Sequence, residues 1–205
     1  MATDPPGRTV PGPVRRASAD EATTLGRLLA RAFVDDPIER WCLACDDLGA
    51  LLELQFVHVV AQIAPKGWLW VADDLSGVVA WIPPGCGYDG AAIDAIVNPV
   101  LAEHGGQPGR VVRFWEWIED QRPAGPHWYV DLVATDPKRR RFSVGSLLLN
   151  HGLARADRLG DPSFLVTGNP RTVPWYDHHG FAVLSDREAP DGGPHVWFMF
   201  RPPSG

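Results

Sequence analysis

Lysine is nearly missing from this chain: Lys66 and Lys138 are the only two among 19 basic residues. Against 25 acidic residues these leave a formal net charge of −6, the reverse of the basic excess that nucleic-acid binding favours. Cysteine is scarce as well. Cys42, Cys45 and Cys86 are too few, and odd in number, for a disulfide framework. The C-x-x-C spacing of Cys42 and Cys45 has no second pair to complete a zinc site. It also follows a helix-like stretch, where a redox motif follows a buried strand. These thiols read as packing groups, and no metal centre is expected. No apolar run reaches the roughly 18–20 residues of a membrane helix. The opening MATDPPGRTVPGP holds no apolar segment of a secretory signal. The expectation is a cytoplasmic protein with neither nucleic acid nor membrane as a partner.

What is present fits a globular fold. The 205 residues are 45% hydrophobic, enough to build a core without staples. Residues 1–12 are rich in proline and glycine and read as a disordered tail. Residues 13–203 read as one domain, since neither an internal repeat nor a linker divides them. Val14–Ala17 suggests a short strand. Ser18 with Glu21 three residues on is a capping box, followed by Leu25, Leu28, Leu29 and Phe33 at helical spacing. Asp35-Asp36-Pro37 ends that helix, because proline pushes the preceding residue out of the helical region. A second helix is expected over 47–63, then two strands over 67–72 and 78–82 joined by a tight turn. Residues 93–101 and 111–118 look helical. Trp128–Thr135 is a strand rich in β-branched and aromatic residues. Further elements are expected as a helix over 144–159, a strand over 164–167, a short helix over 172–179, and strands over 181–184 and 196–201.

Two stretches carry chemistry. The first runs from Asp131 to Leu149 as strand, basic turn and helix. A helix N-terminus presents free backbone N–H groups and the positive end of its dipole, which together bind phosphate. Lys138, Arg139, Arg140 and Arg141 add cations at the same corner. The second stretch, Asn169 to Phe181, sets Asn169 and Tyr176 beyond the end of a strand.

Taken together, the strand–basic turn–helix and the later N-x-x-x-x-P-x-Y-x-x-x-G-F pattern resemble the GNAT superfamily of acyl-CoA-dependent N-acetyltransferases. The likeness spans about residues 14–201. Trp70-Val-Ala-Asp-Asp74, Val79-Ala-Trp81 and Val173-Pro-Trp-Tyr176 are most similar to its puromycin N-acetyltransferase-type members. The resemblance implies an α+β fold in three α/β/α layers. Its sheet would be mixed, mostly antiparallel, with about seven strands and a splay between the middle ones.

It also implies acetyl-CoA as co-substrate and a small-molecule primary amine as acceptor, for a monomer or homodimer. Leu132, Val133, Ala134 and Thr135 would offer backbone groups to the pantetheine arm. Arg140, Arg141, Phe142, Ser143, Val144, Gly145 and Ser146 would cradle the pyrophosphate, and Asn169 would contact the arm. The family turn has glycine where Ser143 stands and often where Arg141 stands. That departure suggests weakened binding of the cofactor, and it supports a second reading as an acyl-CoA-binding module without catalysis. Tyr176 matches the family's general acid. Some members carry a glutamate base where Tyr129 stands; Asp131, two residues on, faces the same side and is the candidate base, with Glu116 and Glu119 as alternatives. The acceptor pocket would form from the loop 33–41, the segment 86–123 and the last hairpin. Asp35, Asp36, Trp41, Trp115 and Tyr129 are the candidate acceptor contacts, with Trp117, Trp128 and Trp197 as further available walls.

Overall fold

The computed structural model describes residues 13–139 and 143–204. Seven strands form one sheet in the order β1-β2-β3-β4-β5-β7-β6. They are β1 (Val14–Arg16), β2 (Leu69–Ala72), β3 (Gly77–Ile82), β4 (Trp128–Thr135), β5 (Ser163–Thr167), β6 (Ala182–Glu188) and β7 (His195–Arg201). Only β4 and β5 pair in parallel; every other neighbouring pair is antiparallel. This is the mixed, mostly antiparallel sheet the resemblance implies.

Helices cover both faces. On one side lie α1 (Ala22–Phe33), α2 (Pro37–Cys42), α3 (Leu48–Ile63), α4 (Gly90–Glu103) and α5 (Arg110–Glu119). Their apolar residues pack with Val78, Ala80, Tyr129 and Leu132 of the sheet. On the other side α6 (Val144–Leu159) and α7 (Val173–His178) pack against Val79, Trp81, Val130 and Met199. Successive residues of β3 therefore serve opposite cores, as the two-residue repeat of a strand dictates.

Local signals account for most boundaries. The Ser18–Glu21 capping box is formed, preceding a 3-10 turn that leads into α1. Asp47 caps α3 by accepting from the Ala50 N–H at 3.1 Å. Gly160, in the left-handed region at φ 70°, ends α6. One expectation needs correction: residues 37–42 form α2, where the sequence reading placed a loop. Pro37 occupies the first turn, where its missing N–H costs nothing. The Asp36 side chain accepts from the Ile38 N–H at 2.9 Å and caps the helix. The proline that ends α1 thus starts α2. The expected disordered tail, residues 1–12, lies outside the described residues.

The far end of the fold is tied by Arg201. It is 8% exposed and donates to both carboxylate oxygens of Asp157 at 2.6 and 2.9 Å. It also donates to the His179 carbonyl at 3.1 Å. One guanidinium therefore joins β7, the end of α6 and the turn after α7. Asp157→Ala leaves it buried without its anion. The expected cost is about 2–3 kcal/mol, a fall in melting temperature of roughly 5–10 °C for a chain this size. A paired Asp157→Leu, Arg201→Met variant should recover most of it. An unchanged melting curve for Asp157→Ala would refute the role.

Candidate active site

The centre of the sheet is pulled open. Strands β4 and β5 pair only from Trp128 to Val130 and from Ser163 to Leu165. Beyond that, residues 132–135 have register partners only within β3, while Val166 and Thr167 pair only with β7. The cause is visible in the register. Ala80 pairs with Leu132 and Trp81 with Val130, so Asp131 is an extra residue that β3 does not match. Such a bulge bends its strand, increases local twist and breaks the alternation of faces. Tyr129 and Leu132 accordingly pack in the same core although three residues apart.

The gap opens into a cavity of about 1610 Å³. Leu132, Val133, Ala134 and Thr135 line it from β4. Ser143, Gly145 and Ser146 line it from the start of α6, and Asn169 and Tyr176 from the β5–α7 side. Asp131, Tyr129, Asp35, Asp36 and Trp115 complete the expected residues that meet there, as do Glu116 and Glu119 on its rim. Some expected residues do not. Val144 turns into the core, where it would crowd a side chain at Gly77. Trp41 lies outside the cavity lining; it packs on Phe114, with Arg110 stacked over its ring at 4.9 Å. The last hairpin, with Trp197, supplies no lining residue, and neither Trp117 nor Trp128 does. Arg140, Arg141 and Phe142 lie outside the described residues.

Ser143 caps α6 at φ 57°, the left-handed conformation that favours glycine. Its carbonyl accepts the first bond of the helix, from the Leu147 N–H at 2.9 Å. The N–H groups of Val144, Gly145 and Ser146 have no partner within the helix, as in any first turn. The Ser146 hydroxyl accepts from Trp175 Nε1 at 3.1 Å, tying α6 to α7.

Tyr176 is buried on α7, edge-on to Trp175 and Phe181. Burial, reinforced by Asp36, lifts its phenol above the usual range, so it keeps its proton at neutral pH. Asp131 receives the Tyr88 hydroxyl at 3.2 Å, and burial lifts its carboxyl to about 6. Tyr129, under the guanidinium of Arg122 at 4.2 Å, is also raised by burial and by Asp131.

Sequence reading missed Glu39. It lines the cavity from α2 and receives Gln55 Nε2 at 3.2 Å. Burial first, then the charges of Asp36 and Asp131, lift it to about 8. Asp36 is raised by burial too. The signal in the sequence is position three of a capped helix, which is visible only where that helix is expected. Gly168, at the end of β5, allows the approach: a side chain there would come within 2.7 Å of Ile38 in α2.

A family model for the acetyltransferase (GNAT) family matches residues 63–181, more than half of the chain. The chain belongs to the GNAT acetyltransferase family. Among solved structures it is similar to a Corynebacterium glutamicum protein described as histone acetyltransferase HPA2 and related acetyltransferase. The two share 27% identity at a TM-score of 0.67, over 96% of this chain and 98% of that one. The fold also matches a Drosophila melanogaster polyamine N-acetyltransferase (15% identity, TM-score 0.60, 92% and 98% covered). A mosquito arylalkylamine N-acetyltransferase-like protein shares it as well (17% identity, TM-score 0.54, 92% and 98% covered). Membership of this acetyltransferase family makes the chain an enzyme.

The GNAT family uses acetyl-CoA, and the opened edge of β4 beside the α6 N-terminus fits such a molecule: extended backbone for its arm, free amides for its phosphates. The strained Ser143 is the exception. Ser143→Gly should relieve roughly 1 kcal/mol, raise the melting temperature by a few degrees and tighten acetyl-CoA binding in calorimetry. Weaker binding in this variant would instead assign the serine hydroxyl a direct contact.

Proposed function

We propose that residues 13–203 act as one acetyltransferase domain that moves an acetyl group from acetyl-CoA to a primary amine of a small molecule by direct attack. The observation that carries this reading is a single cavity joining the β4–β5 opening to both Tyr176 and a group of recessed carboxyls. Seven acidic residues line its acceptor side: Asp35, Asp36, Glu39, Asp94, Glu116, Glu119 and Asp131. Among the described lining residues the cations are Arg122, paired with Glu119 at 2.8 Å, and Arg171, beside Asn169. That imbalance favours a positively charged acceptor. Phe33, Phe56, Tyr88, Trp115 and Tyr129 add aromatic walls, which suit a bulky or aromatic amine and agree with the likeness to puromycin-type members.

Acetyl-CoA supplies the acetyl group as an activated thioester. Backbone groups from Leu132 to Thr135 hold its arm as an added strand. Ser143, Gly145 and Ser146, together with Arg140, Arg141 and Phe142, hold its phosphates, and Asn169 contacts the arm. An N–H at Leu132 or Val133 donates to the carbonyl oxygen as negative charge builds on it. The carboxyls around Asp131 attract the ammonium and relieve it of its proton. Tyr176, which burial keeps protonated at neutral pH, stands ready to protonate the sulfur as it departs.

Thiol release measured against an amine panel tests the assignment. Tyr176→Phe is expected to lower turnover at least about tenfold while leaving acetyl-CoA affinity within about twofold. Equal loss of both, or of neither, would remove Tyr176 from the acid role.

A further inference from the structure

We propose that Glu39 is the base that takes the acceptor's proton, with Asp131 as the ionised partner that holds the ammonium beside it. This rests on the acetyl-transfer reading above and assigns a step within it. The argument begins with α2. Its six residues are fixed by the Asp36 cap and Pro37, and by contact of Ile38 with the end of β5. Glu39 is therefore held in position on the cavity wall. Gln55 on α3 donates to Oε2. Oε1 has no donor among the described residues, and it is the atom left to receive a proton.

The surroundings separate the two carboxyls. Asp131 has help with its charge: it accepts from Tyr88 and lies within the influence of Arg122. Glu39 has only the neutral amide of Gln55. The titratable groups that face it are Asp36 and Cys42 from its own helix, Asp131 from β4 and Tyr88 from the segment after β3. Among the described residues no cation forms an ion pair with it. Burial and two neighbouring anions thus bring Glu39 to about 8, while Asp131 stays near 6. A base works best when its pKa lies near the working pH. Two carboxyls in one cavity, pushed apart in this way, take different tasks. Asp131 is ionised at neutral pH and serves as the counter-ion. Glu39, at about 8, is close enough in acidity to an alkylammonium to exchange a proton with it.

The step balances as follows. The acceptor nitrogen gives one proton to Glu39 Oε1 and keeps its electron pair. The carbon–nitrogen bond forms and the carbon–sulfur bond breaks. Tyr176 gives its proton to sulfur and regains one from the nitrogen, which ends as a neutral amide. Glu39 returns its proton to solvent.

The test compares wild type, Glu39→Gln and Asp131→Asn with two acceptors. One is 2-phenylethylamine, an ammonium at pH 7; the other is 2,2,2-trifluoroethylamine, mostly neutral there. Glu39→Gln should cut kcat with the first by about a hundredfold and with the second less than about threefold, because a neutral amine needs no base. The rise of kcat/KM with pH should centre near 8 in wild type. Asp131→Asn should keep that rise but shift it to lower pH, since one anion beside Glu39 is gone, and should raise KM. A rise near 6 that vanishes in Asp131→Asn would overturn the proposal in favour of Asp131, as would equal losses with both acceptors in Glu39→Gln. Wild type that releases no thiol with either amine, while binding acetyl-CoA, counts against the transfer reading itself and takes this proposal with it. Glu39→Gln should melt no lower than wild type above pH 8. An acid raised on folding costs stability as it ionises, and the amide removes that cost.

Discussion

Asp131 is one residue more than β3 can pair, and the site follows from that surplus. A bulge in the middle of β4 turns two successive side chains, Asp131 and Leu132, towards the same layer of helices. It also bends the second half of β4 away from β5. A regular strand would have continued the parallel pairing past Val130 and closed the sheet. The backbone groups of residues 131–135 on that side would then have been spent on hydrogen bonds to β5. Left without a strand partner, they form an extended edge inside a cavity, where a polar, extended ligand can complete them.

The same bulge sets the electrostatics. It aims a carboxyl into the cavity at the point where α2 brings Glu39 and Asp36 close. Burying three acids together opposes their ionisation. The fold tolerates this because α2 is anchored by its cap and by close contact with Gly168, and because Tyr88 donates to one of the three. Tyr176, lifted by burial and then by Asp36, shares that field, so its phenol and the carboxyls are coupled across the cavity.

Much of the fold was legible in the sequence because its signals are local. The Ser18–Glu21 box, the β-branched run 128–135 and Gly160 mark boundaries through backbone chemistry that acts within a few residues. Helix α2 was not legible, since Asp-Asp-Pro ends one helix and begins another, and only packing against β5 decides that the chain turns back into a helix. The bulge at Asp131 was hidden for a similar reason: register belongs to two strands and cannot be read from one. Glu39 followed α2 into obscurity. Tyr176, Asn169, Ser143 and Gly145 are readable through a family pattern, whereas nothing but ring size marks Trp41 and Trp197 as aromatic walls. They lie outside the lining because other partners hold them half-buried: Phe114 and Arg110 for Trp41, His195 for Trp197. Sequence composition counts tryptophans, but burial assigns them.

Amide hydrogen exchange across β4 tests the central claim most directly. With saturating acetyl-CoA, amides in residues 131–135 should gain protection, while those at residues 128–130, already paired with β5, should change little. Protection confined to other segments, with 131–135 exchanging as before, would mean that the opening beside the bulge is not where the acyl donor lies.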